Sequence, residues 1–422
     1  MRGHDPGGRR SDVPEDGQPA CGSDDTRGQL AHLPVREPTV HADPDQRAVS
    51  GTTGDVGLLL RRGAKSALAR WVLTQRRRRD LGSRAPSPRD EATHEWDGRR
   101  RFAEDYTFTA VQPGLGLVTR LEWLPGRDAN RVWMTVLRDG QAYALPGGQQ
   151  IHRSGSSDRW RAGGMVLDCL VPLSRWTVRY AGDIVPLVPG GPGPKESAAD
   201  ESQATARPLR CSVDLTFIAS ADPYTPGSDD DPDLLAARLG QAQWDRSLLQ
   251  SVRRVTNRGY VQLGAIHGTI ALGDELIPIR ASALRQHFWG VRDWGASDHG
   301  LQCFVADDDG PRAWVHRARF PFVTMEGGFV RGADGAVAPI TGLDITWERR
   351  PQRAPAHATL SIPNAGPGRP RALDLSMCSD SAFVVDGRGL VELGLARVAP
   401  AGDGGGGGWA VWGGQRRWLP RR

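Results

Sequence analysis

The segment Leu284–Gly295, LRQHFWGVRDWG, gathers side chains that can do chemistry: two Arg, two Trp, a His and an Asp fall between Arg285 and Trp294. His287 and Asp293 are an imidazole and a carboxylate, the groups of general acid–base work. Arg285 and Arg292 supply guanidinium donors, while Phe288, Trp289 and Trp294 supply aromatic surface for an apolar ligand or for cation–π packing. A core strand would be apolar throughout and a loop polar throughout. A mixture of this kind implies a buried polar cluster: a reaction site, a ligand site, or a structural plug.

Other chemically capable residues point to less. His267 in AIHGTI lies in an alternating strand and is expected to be a hydrogen-bonded structural histidine. His299 and His316 have no carboxylate or histidine at metal-ligand spacing, so no metal site is expected. Ser297 in GASDHG has Asp298 and His299 beside it, but adjacency is not triad geometry, and no nucleophile elbow surrounds it. Glycine clusters such as MEGG at 325–328 lack the strand-to-helix setting of a phosphate loop, and no cofactor is expected. Cys21, Cys169, Cys211, Cys303 and Cys378 show no CxxC spacing and are expected to be free, mostly buried thiols.

The elements that must position these residues are mostly strands. RFAEDYTFTAV, GLVTRLEWL, GMVLDCLV, SVDLTFIAS and many later segments alternate apolar and polar residues between Gly, Pro, Asp and Asn. The Asp-Gly pair in RDGQ, 138–141, accepts positive φ and predicts a hairpin joining Trp133–Leu137 to Gln141–Leu145. A loop is expected over 189–208, a surface helix over 232–255, a flexible GGGGG at 404–408 and a basic tail over 416–422. Long crossover helices are absent, so the expected fold class is all-β with antiparallel barrels or sandwiches.

Composition divides the remainder. Residues 1–55 are rich in Gly, Pro, Asp, Arg and Ser and are expected to be disordered. Over 56–98 a basic amphipathic helix and a linker follow, with Leu60, Ala64, Ala67, Leu68, Trp71 and Val72 at helical spacing. Arg61, Arg62, Lys65, Arg70 and Arg76–Arg79 place eight cations there, so the rest of a chain of net charge +5 is net negative. Nucleic acid is therefore not an expected partner of the folded body, since a groove for it would be basic. The basic helix, 56–80, fits peripheral contact with an anionic membrane, or docking on the protein itself. No apolar run is long enough to span a bilayer, and MRGHDPGGRRSDVPEDG lacks a signal-peptide core, so a cytoplasmic location is expected.

Arg285, Gln286, His287, Phe288, Trp289, Gly290, Val291, Arg292, Asp293 and Trp294 follow the pattern Arg-Asp-His-Ser-Trp-Gly-x-Arg-Asp-Trp. On this motif, with the strand order from Trp96 to Arg397, AVQPGLGLVTRLEW and GRGLVELG, the chain resembles an uncharacterised branch of the carotenoid 1,2-hydratase-like (hydroxyneurosporene-synthase-like) calycin superfamily. The resemblance implies two tandem lipocalin-like antiparallel β-barrels, here 99–280 and 281–415, with the motif opening the second. It also brings in Glu392, within GRGLVELG, as a third acid–base candidate. Two residues depart from the pattern: Gln286 stands in place of Asp and Phe288 in place of Ser. If hydration depends on that Asp, this chain does not perform it by the same route.

Three functions follow as expectations. The first is binding of a hydrophobic small molecule, isoprenoid or lipid-like, by Arg285, Phe288, Trp289, Arg292 and Trp294. The second, implied by the resemblance, is a hydratase, isomerase or cyclase acting on an alkene, with His287, Asp293 and Glu392 as acid and base. The third is a structural module without ligand. In a small barrel alternate side chains share a face, so Arg285, His287, Trp289 and Val291 are expected on one side and Gln286, Phe288 and Gly290 on the other, with Asp293 paired to Arg292 or Arg285.

Overall fold

The computed structural model describes residues 55–80, 85–154, 160–187, 207–244, 258–307, 310–332, 334–348, 350, 353–363, 372–401 and 407–418. All of them lie in one compact unit, Val40–Arg422. Residues 1–54, and with them the expected disordered region, are outside the described residues, as are most of the loop at 189–208 and of the glycine run.

Alternation produces the strands. The first sheet comprises β1 (Phe102–Gln112), β2 (Leu115–Leu124), β3 (Ala129–Arg138), β4 (Gln141–Arg153) and β5 (Arg161–Ala162). It continues with β6 (Met165–Val171), β7 (Arg175–Leu187), β8 (Leu209–Ala219), β9 (Arg258–Leu272) and β10 (Glu275–Val291). Its order is β4-β3-β2-β1-β10-β9-β8-β7-β6-β5, and pairing of Ala142–Ala144 with Val185–Leu187 joins β4 to β7, closing the sheet on itself. In β8, Cys211, Val213, Leu215 and Phe217 are buried while Ser212 and Asp214 are exposed, the period of two expected of a barrel wall with one dry face. The expected hairpin is present, turning between β3 and β4 at Asp139–Gly140 with Gly140 at φ 78°.

The second sheet comprises β11 (His299–Asp307), β12 (Gly310–Arg319), β13 (Thr324–Arg331), β14 (Val337–Pro339) and β15 (Asp344–Trp347). It is completed by β16 (His357–Ser361), β17 (Ala372–Val385), β18 (Gly389–Pro400) and β19 (Gly408–Arg417), in the order β14-β13-β12-β11-β19-β18-β17-β16-β15. Both sheets are antiparallel and curled, and the fold is nearly all-β, as two tandem lipocalin-like barrels require.

β1, β2 and β3 are buried along almost their whole length because each has two dry faces. Tyr106, Phe108 and Ala110 face the interior of the first barrel. Val111, Val118, Trp133 and Leu137 share a second core with Phe304, Phe383, Val391 and Leu395 of the other sheet. Buried apolar area of this kind holds the two sheets together at roughly 25 cal/mol per Å².

Three expected boundaries are corrected. β10 is a seventeen-residue strand paired with β9 over Glu275–Trp289 and with β1 over Ser282–Val291, so Arg285–Val291 ends the first barrel and does not open a second one at 281. The helix expected over 232–255 is α2, Pro232–Gln241, capped by Asp231, whose side chain accepts from the Asp233 and Leu234 amides; residues 245–257 are outside the described residues. The tail expected from 416 begins inside β19, which holds Arg416 and Arg417 in the sheet.

The basic helix is present as α1, Asp55–Asp80, and packs on α2 through Ala69. Among the described residues no helix is long and apolar enough to cross a membrane.

Candidate functional site

The inner face of β10 meets the inner face of β1 in register, with Arg285 opposite Phe108, His287 opposite Tyr106 and Trp289 opposite Glu104. The alternation expected for the motif is the one observed. Arg285 and His287 are buried within the first barrel, while Gln286 turns outward to donate to Gln302 Oε1 of β11 at 3.0 Å and Phe288 packs against the core between the sheets.

What fills this end of the barrel comes from a stretch expected only to link. The Ser87 amide and hydroxyl both donate to Asp90 Oδ2 at 2.7 Å, and Pro88 starts a single 3-10 turn, Pro88–Glu91. That turn drives Glu91 into the barrel. Arg285 Nη1 donates to Glu91 Oε2 and Nη2 to Oε1, both at 2.8 Å; Trp176 Nε1 donates to Oε2 at 2.8 Å and Tyr260 donates its hydroxyl to Oε1. Arg285 also donates to Gln262 Oε1 at 2.6 Å and lies 5.5 Å from the Trp176 ring centroid. Burial alone would raise the Glu91 carboxyl, but hydrogen bonds from Arg285 and Tyr260 outweigh it and hold Glu91 below the usual carboxylate range. Glu91 and Arg285 form a buried plug in which both carboxylate oxygens and both terminal guanidinium nitrogens are paired.

Beside the plug lies a chain of three titratable groups. Glu104, completely buried on β1, accepts from His287 Nε2 at 2.9 Å, from His94 Nδ1 at 3.0 Å and from the His94 amide at 3.0 and 3.2 Å. Burial pushes Glu104 upward, yet the His287 and His94 hydrogen bonds prevail and its carboxyl sits below the usual range. His287, with no exposure, is pushed down by burial against the pull of Glu104, so its ring is neutral near pH 7. Tyr106 stacks on His287 at 4.0 Å and Trp289 stacks on His94 at 3.8 Å.

His94 differs from His287 in access. Its side chain is 23% exposed, and no described residue bonds its Nε2. In the neutral tautomer with Nδ1 donating to Glu104, the lone pair is on Nε2, the arrangement of an oriented base. The donor atoms of His94, Glu104 and His287 also lie within 4.8 Å of one another, a set of types that can hold a cation. The expectation of no metal-ligand cluster rested on spacing, and these three residues come from separate elements.

The remaining residues of the motif serve other places. Arg292 forms an ion pair with Asp105 Oδ2 at 2.6 Å and donates to Glu122 Oε1 at 2.7 Å, on the face of β1 and β2 turned toward the second sheet. Glu122 pairs in turn with Arg131 at 2.8 Å, and Arg131 pairs with Asp386 in the turn between β17 and β18. Trp294 lies in the core between the sheets, 5.3 Å from the Trp133 ring. Asp293 pairs with Arg101, which corrects the expected pairing with Arg292 or Arg285: both guanidiniums are taken by buried acids from elements that meet β10 only in the fold. Glu392 pairs with Arg416 in the second sheet. His287, Asp293 and Glu392 therefore have separate partners, and Arg285 and Trp289 are on the opposite side of the first barrel's wall from Phe288, Arg292 and Trp294. His267, expected to be a hydrogen-bonded structural histidine, is exposed on β9. Cys169, Cys211, Cys303 and Cys378 are free thiols; Cys211 and Cys303 are buried as expected, whereas Cys169 is exposed and Cys378 half-buried.

Sequence reasoning missed Glu91, His94 and Glu104. One signal was available for Glu104: in FAEDYTF it occupies the same alternate phase as Tyr106 and Phe108, an acid where the pattern calls for an apolar residue.

A lipocalin-like barrel with an acid–base chain at its plugged end, followed by a second curled sheet, defines the class: an all-β tandem-barrel protein. The chain belongs to the family described as "Domain of unknown function (DUF7064)", which matches residues 87–416. A comparison with curated proteins found no match. Among solved structures, the chain is similar to a putative AttH from Nitrosomonas europaea at 14% identity and a TM-score of 0.47, over 78% of this chain and 97% of that one. It is similar to kievitone hydratase from Nectria haematococca at 10% identity and 0.44, over 75% and 88%. It is also similar to CghA in complex with Sch210972 at 11% identity and 0.43, over 75% and 89%.

Proposed function

We propose that the plugged end of the first barrel binds a hydrophobic, unsaturated small molecule and moves a proton on or off it, as a hydratase or isomerase does. The observation that carries this is the chain His94–Glu104–His287, in which one imidazole is partly exposed with a free Nε2 while the carboxylate and the second imidazole are sealed behind it. His94 Nε2 takes or delivers the proton. Glu104 fixes the tautomer and orientation of His94, as a buried acid does behind a catalytic imidazole. His287 donates to Glu104 from the far side and holds it in place. Trp289, stacked on His94, presents an apolar face beside the reacting nitrogen.

For hydration, protonated His94 would give its proton to an alkene carbon, water would add to the resulting cation, and the proton lost from that water would restore the acid. Asp293 and Glu392 take no part in this scheme, and Arg285 acts through the plug. The resemblance to the carotenoid hydratase-like superfamily is in keeping with the reaction class, although Gln286 stands where that pattern has Asp and faces the second sheet, while Glu104 of β1 lies inside the first barrel, so the route differs.

The test is incubation in D₂O with a panel of isoprenoid alkenes, geraniol and farnesol among them, followed by mass spectrometry. Deuterium on carbon, abolished by His94→Gln with binding retained, is the expected result. Binding without exchange in the unaltered protein would leave only a carrier, and neither binding nor exchange would overturn the proposal.

A further inference from the structure

We propose that α1 is a docking face for an anionic phospholipid bilayer, independent of the chemistry in the first barrel. The helix is held to the body on one side. Ala69 is buried, Lys65 Nζ donates to the Ala242 carbonyl at 3.3 Å, Arg70 pairs with Asp233 of α2 at 2.8 Å, and Gly240 of α2 lies so close that a Cβ there would overlap Ser66 Oγ.

Another side of α1 carries large apolar residues in the open. Leu68 is 49% exposed, Trp71 61% and Val72 49%, three residues at i, i+3 and i+4 that share one stripe of the helix. Few other places in the described chain present such side chains, and none groups a tryptophan with two aliphatic residues one turn apart. Ala64 and Ala67 extend the exposed surface toward the N-terminal end.

Charge selects the occupant. Between Arg61 and Arg79 the sequence has eight cations and no acid, whereas the rest of the chain is net negative. Arg62 of the same helix also lines a cavity of about 380 Å³ together with Arg238, Phe320 and Asp344. A nucleic acid would satisfy the cations but leave Leu68 and Val72 in water. A second protein surface would need acidic and apolar patches in one matching stripe. A bilayer containing acidic lipid meets both needs at once: the apolar stripe enters the interface, tryptophan has its preferred depth there, and each basic residue near the surface adds favourable energy of about 1 kcal/mol. The helix lies along the surface and does not cross, because no helix among the described residues is long and apolar enough to span.

The full chain is tested by flotation with vesicles of phosphatidylcholine alone and of phosphatidylcholine mixed with phosphatidylglycerol. Binding to the mixed vesicles only, weakened by added salt, is expected, and Leu68→Ser combined with Trp71→Ser should lower partitioning by about tenfold with an unchanged melting temperature, since both residues are exposed. Brominated lipid should quench the tryptophan fluorescence of the unaltered protein more than that of Trp71→Phe. Equal binding to both vesicle types, binding that survives the double substitution, quenching that does not depend on Trp71, or capture of duplex DNA without vesicle binding would each overturn the proposal.

Discussion

Arg285 grips Glu91 at both carboxylate oxygens, 2.8 Å each, across 194 positions of sequence and with almost no access to water. The contact ties the short turn before β1 to the last strand of the first barrel. It also fixes the path of the chain into His94, which lies three residues beyond Glu91. The plug and the acid–base chain are thus one construction: the first positions the second.

Breaking that pair leaves a buried charge without its partner. Glu91→Gln or Arg285→Met alone should cost about 3–5 kcal/mol, while Glu91→Leu with Arg285→Met should cost less than the worse single change, because the charge requiring compensation is gone. Urea denaturation of the four proteins gives the comparison. A double variant as unstable as the sum of the singles would show that the two residues act separately.

His94→Gln and Glu104→Gln separate chemistry from packing. His94 is partly exposed, so its replacement should shift the melting temperature little while reducing deuterium transfer to substrate by about 10²–10⁴-fold. Glu104→Gln should reduce both stability and transfer, since the carboxylate is buried among three donors from the histidines. A His94→Gln protein that transfers deuterium at the original rate removes His94 from the mechanism.

Acid should destabilise the protein in two stages. Buried His287 is held below its ordinary 6.5, so the unfolded chain binds a proton that the folded chain refuses; its contribution is full above that pH and is lost as pH falls through it toward the folded value. Glu91 and Glu104, both held below 4.5, add a second loss as pH drops under that value. Asp105 opposes the trend, because burial raises it above 3.8 and its protonation favours the folded state as pH falls. Melting temperature measured from neutral pH downward should therefore decline first around 6.5, and the early decline should shrink in a His287 variant. A melting temperature that rises across that region contradicts the neutral, buried ring.

Gly148 tests the contact between the sheets. It sits at φ 78°, and a Cβ added there would lie 2.4 Å from Phe383 Cβ of β17. Gly148→Ala should cost about 2 kcal/mol or more, combining left-handed backbone strain with a clash in the packed junction. Gly140→Ala has a similar φ but open space around it, so about 1 kcal/mol is expected there. Thermal denaturation of the pair distinguishes clash from strain, and equal losses would mean that the Phe383 contact yields freely.

Alternation of side chains and Asp-Gly turn chemistry are local properties, so the antiparallel strands, the hairpin at Asp139–Gly140, the basic helix α1 and the two faces of the Arg285–Trp289 segment could all be read from the sequence. The concentration of Arg, His and Trp on β10 also marked that strand as the one to watch. Which partners those side chains would meet could not be read. Glu91 and His94 precede the barrel in a stretch with no regular pattern, and Glu104 comes from a strand that joins β10 only when the sheet closes. Register and closure are long-range, set by the packing of whole strands against one another. For that reason the tertiary structure alone decided that Arg285 and His287 find their acids inside the first barrel, while Arg292 and Trp294 face the second sheet.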